Sequence, residues 1–235
     1  IKPKPLLVCS GGTSSRCAAN GHWTLDLRSN YKRIEYDHSH RQIVLGAGNT
    51  MGELLQELAR HQRSFPAGLS GITGLGYILS GGISPLSRSQ GLAVDQILEI
   101  QGIWGNGENF VLDRPNSSSQ LEQQVAWRGL CGAASFLAVI TSLKLKSQPL
   151  LPLSIWTAEI KPGELAKLIQ NAELWPNSSS LQWVWGNEIR AYAVTKIEDH
   201  QDNKTLKSLQ KEFASTGSPQ INHVSGLHNM PEFQL

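Results

Sequence analysis

Charge is scarce in this chain. Only 17% of its 235 residues are Asp, Glu, Lys or Arg, and the net charge is +2. That balance excludes the basic stripe a nucleic-acid groove needs, and no Lys/Arg run marks a membrane surface. No stretch of 18 apolar residues occurs, so no membrane-spanning helix is expected. The three cysteines (Cys9, Cys17, Cys131) are too few and too scattered for a disulfide framework or a cysteine-based metal site. They read as reduced thiols of a cytoplasmic protein. Three Asn-x-Ser/Thr triplets begin at Asn116, Asn177 and Asn203 and read as incidental. His38 and His40 lie two apart, but with no third ligand nearby they read as a turn. The chain starts at Ile1 without a charged-then-apolar leader, and it is expected to be a fragment.

Glycine, by contrast, is concentrated. Phe65–Arg88 holds six Gly and two Pro in 24 residues, with almost no charge. Helices and strands gain nothing from so much glycine. The composition suits backbone that must approach something closely, with several residues at positive φ. Successive N–H groups in such turns make concave nests for phosphate oxygens. A second candidate stands at the start. The apolar run Pro5–Cys9 stops in Ser10-Gly11-Gly12-Thr13-Ser14-Ser15-Arg16, where backbone N–H groups, hydroxyls and a guanidinium could all meet an anion. Neither loop is a Walker loop, since no Gly-Lys-Ser/Thr follows. Gly71-Ile72-Thr73-Gly74-Leu75-Gly76 is not spaced as a dinucleotide fingerprint, and no helix is expected after it.

Periodicity orders the rest. Strands are expected at Trp23–Leu27, Arg33–Asp37 and Gln42–Gly46. The clearest helix is Asn49–Arg63, with a capping box at Thr50 and Glu53 and an apolar stripe of Met51, Leu54, Leu55 and Leu58. Asn106-Gly107 signals a hairpin. A helical start near Gln124 and a strand over Phe136–Lys146 follow. Past the Pro-containing link Ser147–Pro152, a strand at Leu153–Lys161, a helix over Leu165–Ala172, a hairpin of Leu181–Trp185 with Arg190–Lys196, and a helix over Thr205–Ala214 make an α+β unit. With two or three strands that unit reads as incomplete.

Taken in order, these motifs resemble the FAD-binding domain of the vanillyl-alcohol oxidase and p-cresol methylhydroxylase family. Gly11-Gly12-Thr13-Ser14, Val44-Leu45-Gly46-Ala47-Gly48 with its helix, Phe65-Pro66-Ala67-Gly68, Gly81 to Arg88, Gly91 to Asp95, the Asn-Gly hairpin and Arg128 to Thr141 carry the resemblance. It covers Pro5 to about Leu150. It implies an α+β fold: residues 1–150 form a two-subdomain FAD-binding domain lacking its first strand–helix pair, and 151–235 form part of a substrate domain with an antiparallel sheet.

The resemblance also implies a site. Ser10, Gly11, Gly12, Thr13, Ser14, Ser15 and Arg16 would hold the FAD pyrophosphate. Pro66, Gly68, Ser70, Gly71, Thr73, Gly74, Gly76, Ser80, Gly81 and Gly82 would line the diphosphate and flavin edge. Val139 and Ile140 would touch the adenosine-ribityl side. Relatives that tether the flavin use a His where Thr13 stands or a Cys where Ser70 stands, so FAD is expected to be non-covalent. Ser80, Ser84 and Pro85 replace residues commonly Gly, Gly and a large aromatic. The implied activity is oxidation of a small alcohol, amine or hydroxy acid by hydride transfer to flavin. The alternative is a catalytically degenerate flavoprotein fold that serves as a binding or assembly partner. Trp175, Trp183 and Trp185 would be its surface, although such residues are more often core. No catalytic residue is assigned. Tyr192, His223 and His228 read as structural.

Overall fold

A computed structural model describes residues 4–197, 207, 211, 213 and 220–230 of the chain. Strand β1 (Leu6–Cys9) pairs in parallel with β2 (Trp23–Asp26), Leu6 standing opposite Trp23. Strands β3 (Ile34–Asp37) and β4 (Gln42–Gly46) follow as a hairpin. Helix α1 (Met51–Arg60) then begins at the expected cap. Thr50 Oγ1 accepts from the Glu53 amide, and Glu53 Oε2 accepts from the Thr50 amide at 2.8 Å. Met51, Leu54, Leu55 and Leu58 are all buried, so the stripe faces the core.

The Gly-rich stretch departs from expectation. After the two-residue strand β5 (Arg63–Ser64), a short helix α2 (Leu75–Leu79) does follow Gly74, and another, α3 (Ser87–Gln90), ends the stretch. The expectation of no helix is corrected here. Gly74 serves as the N-cap of α2, and Leu75, Ile78 and Leu79 are buried. Tertiary burial overrides the poor propensity of the flanking glycines.

Strands β6 (Ile97–Trp104) and β7 (Asn109–Asp113) form the Asn-Gly hairpin, with Gly107 at φ 90°. Helix α4 (Leu121–Leu137) breaks at Cys131–Ala133, where Gly132 takes φ 142°, and leads into β8 (Ala138–Lys146). The five-stranded antiparallel sheet runs β3-β4-β8-β6-β7. Across it, Glu99 of β6 stands opposite Lys144 of β8 and accepts a hydrogen bond from its ammonium.

A two-residue strand β9 (Gln148–Pro149) pairs with β5, and the second sheet begins. It runs β11 (Ser179–Trp185), β12 (Ile189–Lys196), β10 (Leu153–Ile160), β13 (Gln220–Val224), all antiparallel, with α5 (Pro162–Ala172) packed on one face. Four strands replace the two or three expected. Strand β13 carries no apolar alternation that sequence could show. Of the helix expected over Thr205–Ala214, only Lys207, Lys211 and Phe213 are among the described residues, and they are helical. Leu153, Ile155 and Val194 at one end of the second sheet join the core of the first unit. No helix among the described residues is long and apolar enough to cross a membrane.

Two outcomes follow. Thr50→Ala removes one partner of the capping box and should lower unfolding free energy by about 1 kcal/mol in urea titration. At Glu99, burial alone would push the carboxyl up, but hydrogen bonds from Lys144 and Gln101 hold it below its ordinary value. A depressed carboxylate stabilises the fold above its unfolded value and loses that contribution as pH falls through the folded one. Wild type should therefore lose more stability than Glu99→Gln on going from about pH 6 to about pH 3.

Candidate functional site

The two glycine-bearing loops meet backbone to backbone. A Cβ on Gly11 would stand 2.3 Å from the Gly74 nitrogen, and one on Gly74 would stand 2.4 Å from the Gly11 nitrogen. Ser10 pins the junction: its hydroxyl donates to the Ala47 carbonyl at 2.6 Å and accepts from the Leu75 amide at 3.1 Å. Helix α1 is tied to the same place, since the Met51 and Gly52 amides donate to the Thr73 and Gly71 carbonyls, each at 2.8 Å. Gly11, Gly71 and Gly74 are thus occupied in bringing loop, helix and strand into contact.

Other glycines face open space. Gly76 has nothing within 4 Å of where a Cβ would project, and neither has Gly132. Both line a cavity of about 120 Å³ with Val8, Ser10, Ala47, Ser80, Ser135 and Ile140. Its walls come from β1, the β4–α1 turn, α2, the break in α4 and the start of β8. This small-residue cradle, with space where side chains would otherwise stand, fits a ligand that needs backbone at contact distance. The fit to a flavin dinucleotide rests on that feature. Of the residues expected to hold FAD, Ser10, Gly76, Ser80 and Ile140 come together here.

A second, more open groove of about 490 Å³ gathers Gly68, Ser70 and Thr73 with Leu69, Tyr77 and Ile83, facing Leu181, Gln182 and Trp183 of β11. Pro66 and Gly68 are buried, and a Cβ on Gly68 would stand 2.8 Å from the Tyr77 hydroxyl. Tyr77 donates to the Ile83 carbonyl across the Gly81–Gly82 turn, whose two glycines sit at φ 109° and 70°. Burial pushes its phenol well above the usual tyrosine range, so it stays protonated as that donor. The Gln182 carbonyl oxygen is buried in the groove wall without a hydrogen-bond partner. Sequence reasoning missed Tyr77, Gln182 and the β11 wall.

Thr13, Ser14, Ser15 and Arg16 lie exposed along the first loop, where Ser14 caps a one-turn helix by accepting from the Arg16 amide. The guanidinium nearest Gly12 is that of Arg28, 2.9 Å from a Cβ placed there and already paired with Asp26 at 2.7 Å. Its hydrogen bonds hold the Asp26 carboxyl down at about 2. Val139 pairs with Ile103 in the sheet and lines neither space. Arg88 donates to the carbonyls of Ala172 and Ser179 at 3.1 and 2.9 Å, and to Trp175 at 2.9 Å, fastening the Gly-rich stretch to the end of α5. Among the described residues no cluster could hold a metal ion.

Residues 2–113 match the family model described as FAD binding domain. The match takes in just under half of the chain, and the curated relatives it resembles are FAD-linked oxidoreductases. A relative, the FAD-linked oxidoreductase nodO of Hypoxylon pulicicidum, is 33% identical over 150 residues, covering 63% of this chain and 32% of that protein. The chain thus spans about a third of the length of this curated relative. Among solved structures, the xylooligosaccharide oxidase of Myceliophthora thermophila C1, in complex with xylobiose, superposes with a TM-score of 0.79 at 16% identity, over 99% of this chain and 52% of that one. Berberine bridge enzyme from Eschscholzia californica gives 0.75 at 20% identity, over 90% and 45%. These likenesses establish the p-cresol methylhydroxylase-type α+β fold, of which this chain holds a part.

The two classes of glycine separate by experiment. Gly74→Ala drives a Cβ into backbone and should cost about 1–3 kcal/mol of stability. Gly76→Ala meets nothing and adds a good helix former, so its thermal midpoint should hold or rise. Calorimetry on both variants checks the contrast.

Proposed function

We propose that the chain binds FAD non-covalently across the small-residue cavity and the adjoining groove, and that the whole protein oxidises a small molecule. The observation that carries this reading is the pair Gly76 and Gly132, whose open α-carbons face one cavity beside Ser10, Ser80 and Ile140. Bound FAD supplies hydride acceptance and later gives the electrons to oxygen or a carrier. The chain's own residues bind and orient. Ser80 offers a hydroxyl at the cavity rim, and the exposed loop Gly12–Arg16 offers amides, hydroxyls and a cation for phosphate oxygens. Gly11 and Gly74 shape that loop from beneath. Gly68, Ser70 and Thr73 line the groove, and the turns at Gly71 and Gly81–Gly82 and the buried Pro66 belong to the same stretch. Residues 1–150 make up the FAD-binding part, and 151–235 part of the substrate-binding one.

The groove between Ser70 and β11 is where a substrate would lie. Leu181, Gln182 and Trp183 of β11 would form its far wall. Absence of a tether is supported by Thr13 and Ser70, neither of which has the imidazole or thiolate needed to bond the flavin. Three free thiols support a cytoplasmic site of action.

A second reading rests on exposed apolar side chains. Phe136 is 85% exposed and Trp185 63%, as a flavoprotein fold retained for partner binding would show. Flavin-free protein copurifying with a stoichiometric partner would favour it.

The purified whole protein should show flavin absorption bands, and acid precipitation should leave the flavin in the supernatant. Colour retained in the pellet would show a covalent link, and no bands together with no quenching of added FAD would overturn flavin binding. Gly76→Ala should weaken FAD binding about tenfold or more in fluorescence titration while leaving the fold intact.

A further inference from the structure

The groove facing β11 does not end at Trp183. A second groove of about 500 Å³ adjoins it, and the two share Ile83 and the Leu181–Trp183 wall. Ile83, just past the Gly81–Gly82 turn, is 69% exposed, and Trp183 is 42% exposed. Two large apolar side chains thus stand open where the spaces meet. Leu69 continues the apolar lining on the first side, and Ile169 and Ala172 of α5 continue it on the second.

Hydrogen bonds decide what can lie there. Most hydroxyls lining the two grooves are already engaged within the protein. Tyr77 donates to the Ile83 carbonyl, Thr73 to the Ser70 carbonyl at 3.2 Å, and Ser180 to the Pro85 carbonyl at 2.6 Å. Ser84 and Ser87 accept from the Leu86 and Ser84 amides at 3.1 and 2.9 Å. Only the Ser70 hydroxyl, in the first groove, makes no hydrogen bond among the described residues. Among those residues no charged side chain lines the first groove. In the second, the Arg88 guanidinium is committed to the carbonyls of Ala172, Trp175 and Ser179, and the other charge is the Glu173 carboxylate. A polyhydroxylated ligand would give up water there for few partners. A carboxylate would find no uncommitted cation and would face Glu173. Apolar surface alone is matched along the whole length.

We propose that the two grooves form one bed for an elongated, uncharged, apolar molecule of isoprenoid or fused-ring type, selected by Ile83 and Trp183. The assignment rests on the reading that the substrate lies beside Ser70. The Ser70 hydroxyl meets the ligand's one polar group. The apolar body passes between Ile83 and Trp183, and its far end lies against Ile169 and Ala172. Each space is of small-molecule size, and their continuity favours a long ligand over a single ring. Selection is a difference between ligands: sugars and acids are refused because their polar groups would go unpartnered.

Saturation-transfer NMR on the whole purified protein, with farnesol, benzyl alcohol, xylobiose and lactate as probes, tests the bed. It reads ligand contact with or without flavin, so its failure is distinct from failure of flavin binding. Farnesol should receive saturation, and xylobiose and lactate should not. Trp183→Ala and Ile83→Ser, in different elements and both exposed, should each weaken farnesol about tenfold or more with unchanged circular dichroism. Ile169→Asp should weaken farnesol and spare benzyl alcohol, which is too short to reach the second groove. Leu174→Ala, at an exposed side chain outside both grooves, should change neither. Xylobiose bound instead, and weakened by Trp183→Ala, would overturn the apolar assignment while leaving the groove as the substrate site. Farnesol held as tightly by both Trp183→Ala and Ile83→Ser, Ile169→Asp acting on both alcohols or on neither, or a dimer in sedimentation that Trp183→Ala disperses would also overturn it.

Discussion

The contact between Gly11 and Gly74 is the constraint on which the first half of the molecule depends. The backbone nitrogens of two loops approach so closely that neither residue can carry a Cβ. Such an approach is stable only if the polar groups there find partners. The Ser10 hydroxyl provides two of them, one on the β4–α1 turn and one at the start of α2. The Thr50–Gly74 bridge and the amides of Met51 and Gly52 bring in the N-terminus of α1. One junction thereby sets where β1 ends, where α1 begins and which way α2 points. The cavity lined by Gly76 is the space left beside it.

A second fastening joins this junction to the other sheet. Arg88 spreads its guanidinium over three carbonyls at the end of α5 and the start of β11, and Ser180 donates to the Pro85 carbonyl at 2.6 Å. Both fastenings originate in the same Gly-rich stretch. The wall of the groove facing Ser70 starts at this fastening, because Leu181–Trp183 directly continues the strand that Arg88 and Ser180 anchor.

Local signals were legible in the sequence. The capping box at Thr50 and Glu53, the stripe of α1 and the Asn-Gly hairpin each depend on residues within a few positions of one another, and each appears at its expected place. What was not legible depends on distant partners. Helix α2 exists because Leu75 and Ile78 are buried and Gly74 is held by Gly11, sixty-three positions earlier. Strand β13 is polar along most of its length and is fixed by pairing with β10 alone. The tryptophans divide in the same way. Trp175 is buried, whereas Trp183 and Trp185 lie exposed on the edge strand, and no spacing rule separates them.

The glycines carry the last step. Sequence alone treats every glycine in such a stretch as equivalent, and every replacement by another residue as erosion of one ligand bed. The structure divides them by what a Cβ would meet. Gly11, Gly68, Gly74 and Gly82 make room for protein, and Gly76 and Gly132 face open space. The replacements divide likewise. Ser84 is buried and its hydroxyl accepts from the Leu86 amide, while Pro85 presents its carbonyl to Ser180. Pro85 has been absorbed into the joint with the second sheet, and Ser84 is held within the turn beside it. Ser80 alone of the three lines the cavity. It brings a small side chain and a hydroxyl, which narrows the bed by little and adds a donor to it. Of these three departures from the family pattern only Ser80 reaches the cavity, whose other walls keep small residues that leave backbone open at contact distance.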